Sequence, residues 1–267
     1  MIHYASEDKT WIILIHGLGV SERVWFDPLE EKVLFVSFRT LLKDTKEVIP
    51  FAERLKGSYN IASWTQGDSS TIEEAAGELK KIILSLPSIN SYIIIAHSRG
   101  GLVARRAIQL HGLVPRALIC LSTPHYGSRF ADIVMRYSGL IRLVVPPIKR
   151  FLVPIEELCT YSQLIKTVNR DDNTSLERGI PHFDIYGNTV DYLKKGPLKI
   201  MGSIEAIFGK KTIDEWRQGL GDGFVAVSSS ISPITPQGNS SCLPVNHLNI
   251  LIDNGVWDIV NSILTKF

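Results

Sequence analysis

A serine hydroxyl is a useful nucleophile at neutral pH only when a base takes its proton and a third group orients that base. In this chain of 267 residues the serine best set for that chemistry is Ser98, within Ala96-His97-Ser98-Arg99-Gly100-Gly101. Small residues on both sides are a steric need, because a strained turn at the serine brings strand and helix backbones close together. Ala96 stands where the usual spelling, G-x-S-x-G, has its first glycine, and alanine meets that need. The base must then be a histidine and the orienting group a carboxylate, both on loops at one edge of a sheet. His247 directly follows the last expected strand, and Asp222 lies ahead of it in Gly221-Asp222-Gly223-Phe224-Val225. The chain order is thus Ser, Asp, His. Asp191 is the main rival for the acid, and Asp184, inside a strand, is a weaker one.

The other histidines lose on position. His97 fills the variable slot of the serine motif, and His16 precedes a glycine in the first loop, where orienting the backbone is its expected role. His125 ends a strand but precedes the acid and would break the order; His3, His111 and His182 read as surface or core residues. The tetrahedral intermediate of acyl transfer carries an oxyanion that needs two preorganised donors, worth about 2.7–4 kcal/mol each. The main-chain N–H groups of Arg99, at a helix start, and Leu18, in the first glycine loop, are the candidates.

These residues require elements that bring them to one edge. Tyr92 to Ala96 is an apolar, β-branched run too short for a helix, and the residues after Ser98 suit one. Thr10 to Ile15 reads as a strand entering His16-Gly17-Leu18-Gly19. Val48 to Lys56 suits a helix, and Tyr59 to Trp64 a strand. Thr71 and Glu74 resemble a capping box ahead of a helix from about Ile72 to Leu86. Further strands are expected at Arg116 to Ser122, His182 to Gly187 and Ser241 to Val245, with a last helix over Asp253 to Leu264. This alternation implies a mainly parallel sheet with helices on both faces and right-handed crossovers.

Three stretches do not fit single crossovers and read as insertions: 20–46, where Val33 to Phe38 is strand-like; 129–181; and 197–220, where Ile200, Met201, Ile204, Ile207 and Phe208 suggest a helix. The 129–181 stretch, with Phe130, Ile133, Val134 and Tyr137 at helical spacing, reads either as helices packed on the sheet or as an apolar cap over the active site. The length and a hydrophobic content of 45% suit one domain with one large core.

A net charge of +2, with basic residues only in short pairs such as Lys194-Lys195, makes nucleic acid an unsuitable partner. Cys120, Cys159 and Cys242 are far apart, so neither a metal cage nor a disulfide framework is indicated, and no acidic cluster has a calcium-loop spacing. No apolar run approaches the roughly 18 residues of a membrane span, and the amino terminus lacks the signal-peptide layout. The chain reads as soluble and cytoplasmic, needing neither metal nor cofactor.

With these motifs in view, the chain resembles the serine lipase and esterase branch of the α/β-hydrolase family. The resemblance rests on His16-Gly17-Leu18-Gly19, the Ser98 motif, Thr123-Pro124-His125-Tyr126-Gly127-Ser128, the Asp222 loop and Asn246-His247. Alanine before the nucleophile's histidine, Ala96-His97-Ser98, is similar to Bacillus-type small lipases. Ser-Arg-Gly-Gly and the Thr-Pro-His-x-Gly-Ser turn are similar to esterases related to GPI-inositol deacylases. The resemblance implies an α/β-hydrolase fold, trimmed to about six strands because the segment before the first glycine loop is short. It also implies acyl transfer from a carboxylic ester to Ser98, then hydrolysis by water activated at His247, with Leu18 and Arg99 as oxyanion donors.

Long apolar insertions near the site favour apolar or lipid esters, since an apolar pocket gains roughly 0.8 kcal/mol per buried methylene. Phe130, Tyr137, Phe151 and Phe224 are the candidate pocket residues, and a lipid substrate would bring transient contact with a membrane or lipid interface. The same triad also serves an acyltransferase, thioesterase or amidase. A non-catalytic binding protein on the same fold is the reading from a different class.

Overall fold

The computed structural model describes residues 1–33, 36–37, 39, 48–144, 146–190 and 213–267. In a strand successive side chains point to opposite faces, and here both faces of the central strands are apolar, so both are covered. The strands are β1 (Ile2–His3), β2 (Trp11–Ile15), a short separate pair β3 (Lys32–Val33) and β4 (Val36–Ser37), β5 (Asn60–Ser63), β6 (Tyr92–His97), β7 (Leu118–Leu121), β8 (His182–Gly187) and β9 (Ser240–Leu243). The central sheet has the order β1-β5-β2-β6-β7-β8-β9. All its neighbouring strands are parallel except β1, which runs antiparallel to β5 with Ile2 opposite Ala62.

The six parallel strands match the expected number, and β1 adds a seventh. Two residues suffice to pair with the edge of β5, a feature too short to leave an apolar pattern in the sequence.

On one face Trp11, Ile13, Ile15, Ile94, Ala96, Leu118 and Cys120 pack beneath α2 (Ile72–Ser85) and α3 (Arg99–His111). On the other, Ile12, Leu14, Ile93, Ile95, Ile119, Leu121 and Ile185 are covered by α1 (Phe51–Leu55) and α9 (Asn254–Leu264). The Thr71/Glu74 capping box is present at the start of α2. Helix α1 is shorter than the expected 48–56, because Pro50 stands at its N-cap and the helix begins after it.

Between β7 and β8 the chain forms α4 (Arg129–Arg136), α5 (Ser138–Val144), a 3₁₀ turn at Pro146–Phe151, α6 (Leu152–Glu157), α7 (Gln163–Val168) and α8 (Asp171–Ser175). Within 20–46, two 3₁₀ turns precede the β3–β4 pair, so the strand-like Val33 to Phe38 is split there, with residues 34, 35 and 38 outside the described residues. The helix expected over Ile200 to Phe208 and the rival acid Asp191 also lie outside them. Among the described residues no helix is long and apolar enough to cross a membrane.

Candidate active site

Strand β6 ends at His97 and α3 begins at Arg99, leaving Ser98 alone to make the reversal, at φ 54° and ψ −126°. A non-glycine residue at positive φ is strained and persists only where its surroundings hold it. The Ser98 N–H donates to the Leu121 carbonyl at 2.8 Å, and α3 packs directly on neighbouring loops. A Cβ on Gly101 would lie 2.0 Å from Thr123 Oγ1, and one on Gly17 would lie 2.9 Å from Ser98 Cβ.

Three residues distant in sequence meet at this turn. The Ser98 hydroxyl lies 2.9 Å from His247 Nε2, and His247 Nδ1 lies 2.7 Å from Asp222 Oδ2. A carboxylate can only accept, so Nδ1 carries the proton and Nε2 presents its lone pair to the hydroxyl. The other Asp222 oxygen accepts from the N–H groups of Phe224 at 3.0 Å and Val225 at 2.8 Å, and the His247 N–H donates to the Asp222 carbonyl at 3.0 Å. The acid is fully buried, which strengthens its interaction with the imidazole. In chemical terms the arrangement can move a proton from Ser98 to His247 and stabilise the imidazolium that results.

His97, beside the serine, has a role that its motif position did not reveal. Its Nε2 donates to the His247 carbonyl at 3.0 Å and its ring centroid lies 4.7 Å from that of His247. Burial and the neighbouring His247 hold its pKa well below the usual histidine range, so it acts as a neutral prop. His16 is the backbone organiser expected: Nδ1 donates to the Gly17 carbonyl at 2.7 Å and Nε2 accepts from the Gln66 N–H at 3.0 Å. Burial pushes its pKa down to about 4.

Gln66, which no sequence motif marks, also donates to the His16 carbonyl and accepts from the buried Arg99 guanidinium, whose pKa burial lowers to about 10. Arg99 bonds Ser70 O as well and stands 4.0 Å from Glu157 in α6. The His16–Leu18 loop and the start of α3 are thereby held together through Gln66. The Arg99 N–H, at the start of α3, is one of the helix's orphan donors.

A cavity of about 120 Å³ opens at Ser98 and His247. Leu18 and Val20 line it from the first loop, Ala131 and Val134 from α4, Ile148, Ile155 and Leu158 from the segment that follows, and Leu248 and Leu251 from beyond His247. Of the four candidate pocket residues, Phe130 and Phe224 line it, their rings perpendicular with centroids 5.1 Å apart. Tyr137 and Phe151 do not: Tyr137 lies half-buried with the Arg136 guanidinium 5.7 Å from its ring, and Phe151 is buried in the core with Ile148 and Ile155. Phe151 falls on the packing side of this segment, and Tyr137 stands at the C-cap of α4, outside the cavity lining.

Asp184 is engaged elsewhere. It pairs with buried His125 at 2.9 Å, and its second oxygen accepts from the Ser232 N–H at 2.7 Å and the Thr235 hydroxyl at 2.6 Å. Cys120, His125 and Asp184 place one ligand atom each within 4.8 Å of one another. The His125 ring nitrogens and both Asp184 oxygens are already hydrogen-bonded, and Arg105 approaches His125 Nδ1 at 3.4 Å, so a cation would meet filled valences and a guanidinium.

Parallel β6 flanked by β2 and β7, the sharp serine turn at its end, and Asp222 and His247 on later loops at the same edge define the α/β-hydrolase fold. No family model and no curated protein matches the sequence. Solved structures are similar to it in fold. The mature form of the Bacillus licheniformis lipase BlEst2 superposes with a TM-score of 0.65 at 18% identity, over 99% of this chain and 95% of that one. The metagenomic carboxyl esterase MGS0156 gives 0.56 at 13% identity, over 92% and 67%. A carboxylesterase structure from the thaumarchaeon Nitrososphaera gargenis gives 0.55 at 12% identity, over 100% and 94%.

Proposed function

We propose that the protein is a serine hydrolase of carboxylic esters, with Ser98 as nucleophile, His247 as general base and then acid, and Asp222 as the orienting carboxylate. The observation that carries this reading is the continuous chain Asp222–His247–Ser98, with contacts of 2.7 and 2.9 Å, at the mouth of an apolar cavity. Ser98 Oγ attacks the ester carbonyl as its proton passes to His247 Nε2. The alkoxide leaves with that proton, and water, deprotonated by the same nitrogen, releases the acid. The main-chain N–H groups of Leu18 and Arg99 receive the oxyanion.

Apolar or lipid acyl chains suit the site best, because the groups that line the cavity around Ser98 are almost all aliphatic or aromatic. The 129–181 segment acts as a cap in this reading, since Phe130, Val134, Ile148 and Ile155 face the cavity from it. Leu140 and Leu143 on its outer side are 63% and 79% exposed, which supports transient contact with a lipid interface. A thioesterase, amidase or acyltransferase would use the same groups.

The test is hydrolysis of p-nitrophenyl esters from acetate to palmitate by wild type and Ser98→Ala. The expected result is activity that rises from acetate to medium chains and falls by about 10⁴-fold or more in the variant. Wild-type rates in Ser98→Ala would end the nucleophile assignment.

A further inference from the structure

Helix α4 supplies Phe130, Ala131 and Val134 to the cavity, and its first turn is fastened to the loop that carries Asp222. The main fastener is Glu215, a carboxylate 1% exposed on the 3₁₀ turn Asp214–Trp216. Its Oε1 accepts the Arg129 N–H at 2.7 Å, at the first residue of α4, while its own carbonyl accepts the Gly223 N–H at 2.8 Å, one residue past Asp222. The turn and the acid loop also touch directly: a Cβ on Gly221 would fall 2.4 Å from Glu215 Cα.

A second tie runs parallel. Ser128 Oγ donates to the Phe224 carbonyl at 2.6 Å and accepts from the Ala131 N–H at 3.4 Å as the N-cap of α4. Aromatic contacts complete the path. Trp216 packs against Phe130 at 6.2 Å, Phe130 against Phe224 at 5.1 Å, and Phe224 against His247 at 5.2 Å.

We propose that Glu215 is a positioning residue that couples α4, which meets the acyl group, to the Asp222 loop, so that the seating of the cavity wall sets the alignment of Asp222 and His247. The inference rests on the serine-hydrolase reading of Ser98, Asp222 and His247. A carboxylate suits the place chemically, since the first amides of a helix present unpaired N–H groups and a partial positive charge. Burial raises the Glu215 pKa above the usual carboxylate range, but the Arg129 bond needs only an acceptor. An amide at this position therefore replaces the carboxylate, and an apolar side chain does not. A misplacement of about 1 Å in a catalytic group costs on the order of 10²-fold in rate. The expected loss is therefore in kcat, with KM little changed.

The experiment compares wild type, Glu215→Gln, Glu215→Ala and Ser98→Ala on p-nitrophenyl acetate and octanoate, with kcat expressed per folded molecule by circular dichroism. Glu215→Ala is expected to lower kcat on octanoate about 10- to 100-fold with KM within about threefold, and Glu215→Gln to stay within about threefold of wild type in both. A folded Glu215→Ala enzyme with wild-type kcat, or a glutamine variant as slow as the alanine one, overturns the proposal.

If the alanine variant does not fold, Glu215→Asp replaces it, because the shorter side chain withdraws the oxygen from Arg129 and keeps the charge. A slow aspartate variant beside a fast glutamine variant supports the coupling, and two variants at wild-type rate overturn it. Full activity in Ser98→Ala would instead bring down the serine-hydrolase reading, independently of Glu215.

Discussion

At the scale of single residues, the sequence disclosed the groups whose signals are local. Ser98 sits between small residues, His247 follows a strand, and Asp222 lies between glycines; each can be read within about ten positions, and the structure brings the three together. The props behind them were not legible in the same way. His97 is held by a main-chain carbonyl 150 positions away, and every residue has such a carbonyl, so no sequence pattern marks the partner. Gln66 is a similar case, since its work is to bond the His16 backbone and the Arg99 guanidinium. Asp184 looked like a rival acid because composition cannot show that a different histidine, His125, already occupies it. Phe130 and Phe224 line the cavity while Tyr137 and Phe151 do not, a distinction that rests on contacts between segments distant in sequence.

At the scale of elements, strand and helix positions followed from apolar period and capping chemistry, with boundaries shifted by a few residues. The 129–181 segment was less legible, because several short helices broken by prolines share one apolar pattern there. The closest element contact near the site is that of α3 with the loop after β7. Gly101 is needed there because Thr123 Oγ1 occupies the place of its missing Cβ at 2.0 Å. Gly101→Ala is therefore expected to destabilise the fold by about 1–3 kcal/mol through overpacking. Thr123→Ala in the same chain should return part of that loss, and urea denaturation of the single and double variants measures the coupling. Strictly additive effects would show that the contact is not the cause.

At the scale of the whole molecule, the two apolar faces of one sheet are joined to a buried polar network beside the site. Arg105 bonds Glu177 at 2.9 and 3.0 Å, Asn169 at 2.9 Å and, at 3.4 Å, the His125 that pairs with Asp184. Burial also fixes a pH dependence. His16 and His182 have pKa values pushed down to about 4 and about 3 by desolvation, against a value near 6.5 in the unfolded chain. As pH falls below about 6.5 the unfolded state takes up these protons first. Stability is therefore full above that pH and is lost progressively until the folded values are reached. Each such histidine contributes a slope of about 1.4 kcal/mol per pH unit within its window. The urea midpoint should fall between pH 6.5 and 4.5, and His182→Leu should reduce the proton uptake on unfolding by about one. An unchanged uptake in that variant would show that His182 titrates normally in the folded protein.

Whether Ser98 is the nucleophile is tested covalently. A fluorophosphonate reacts with a serine only when a neighbouring base activates it, so labelling of the wild type followed by mass spectrometry of its peptides reports the nucleophile itself. The expected result is a single adduct at Ser98, labelling slowed by several orders of magnitude in Asp222→Asn, and none at that position in Ser98→Ala. An adduct on another serine, or labelling of Ser98 at the same rate when Asp222 is replaced, would contradict it.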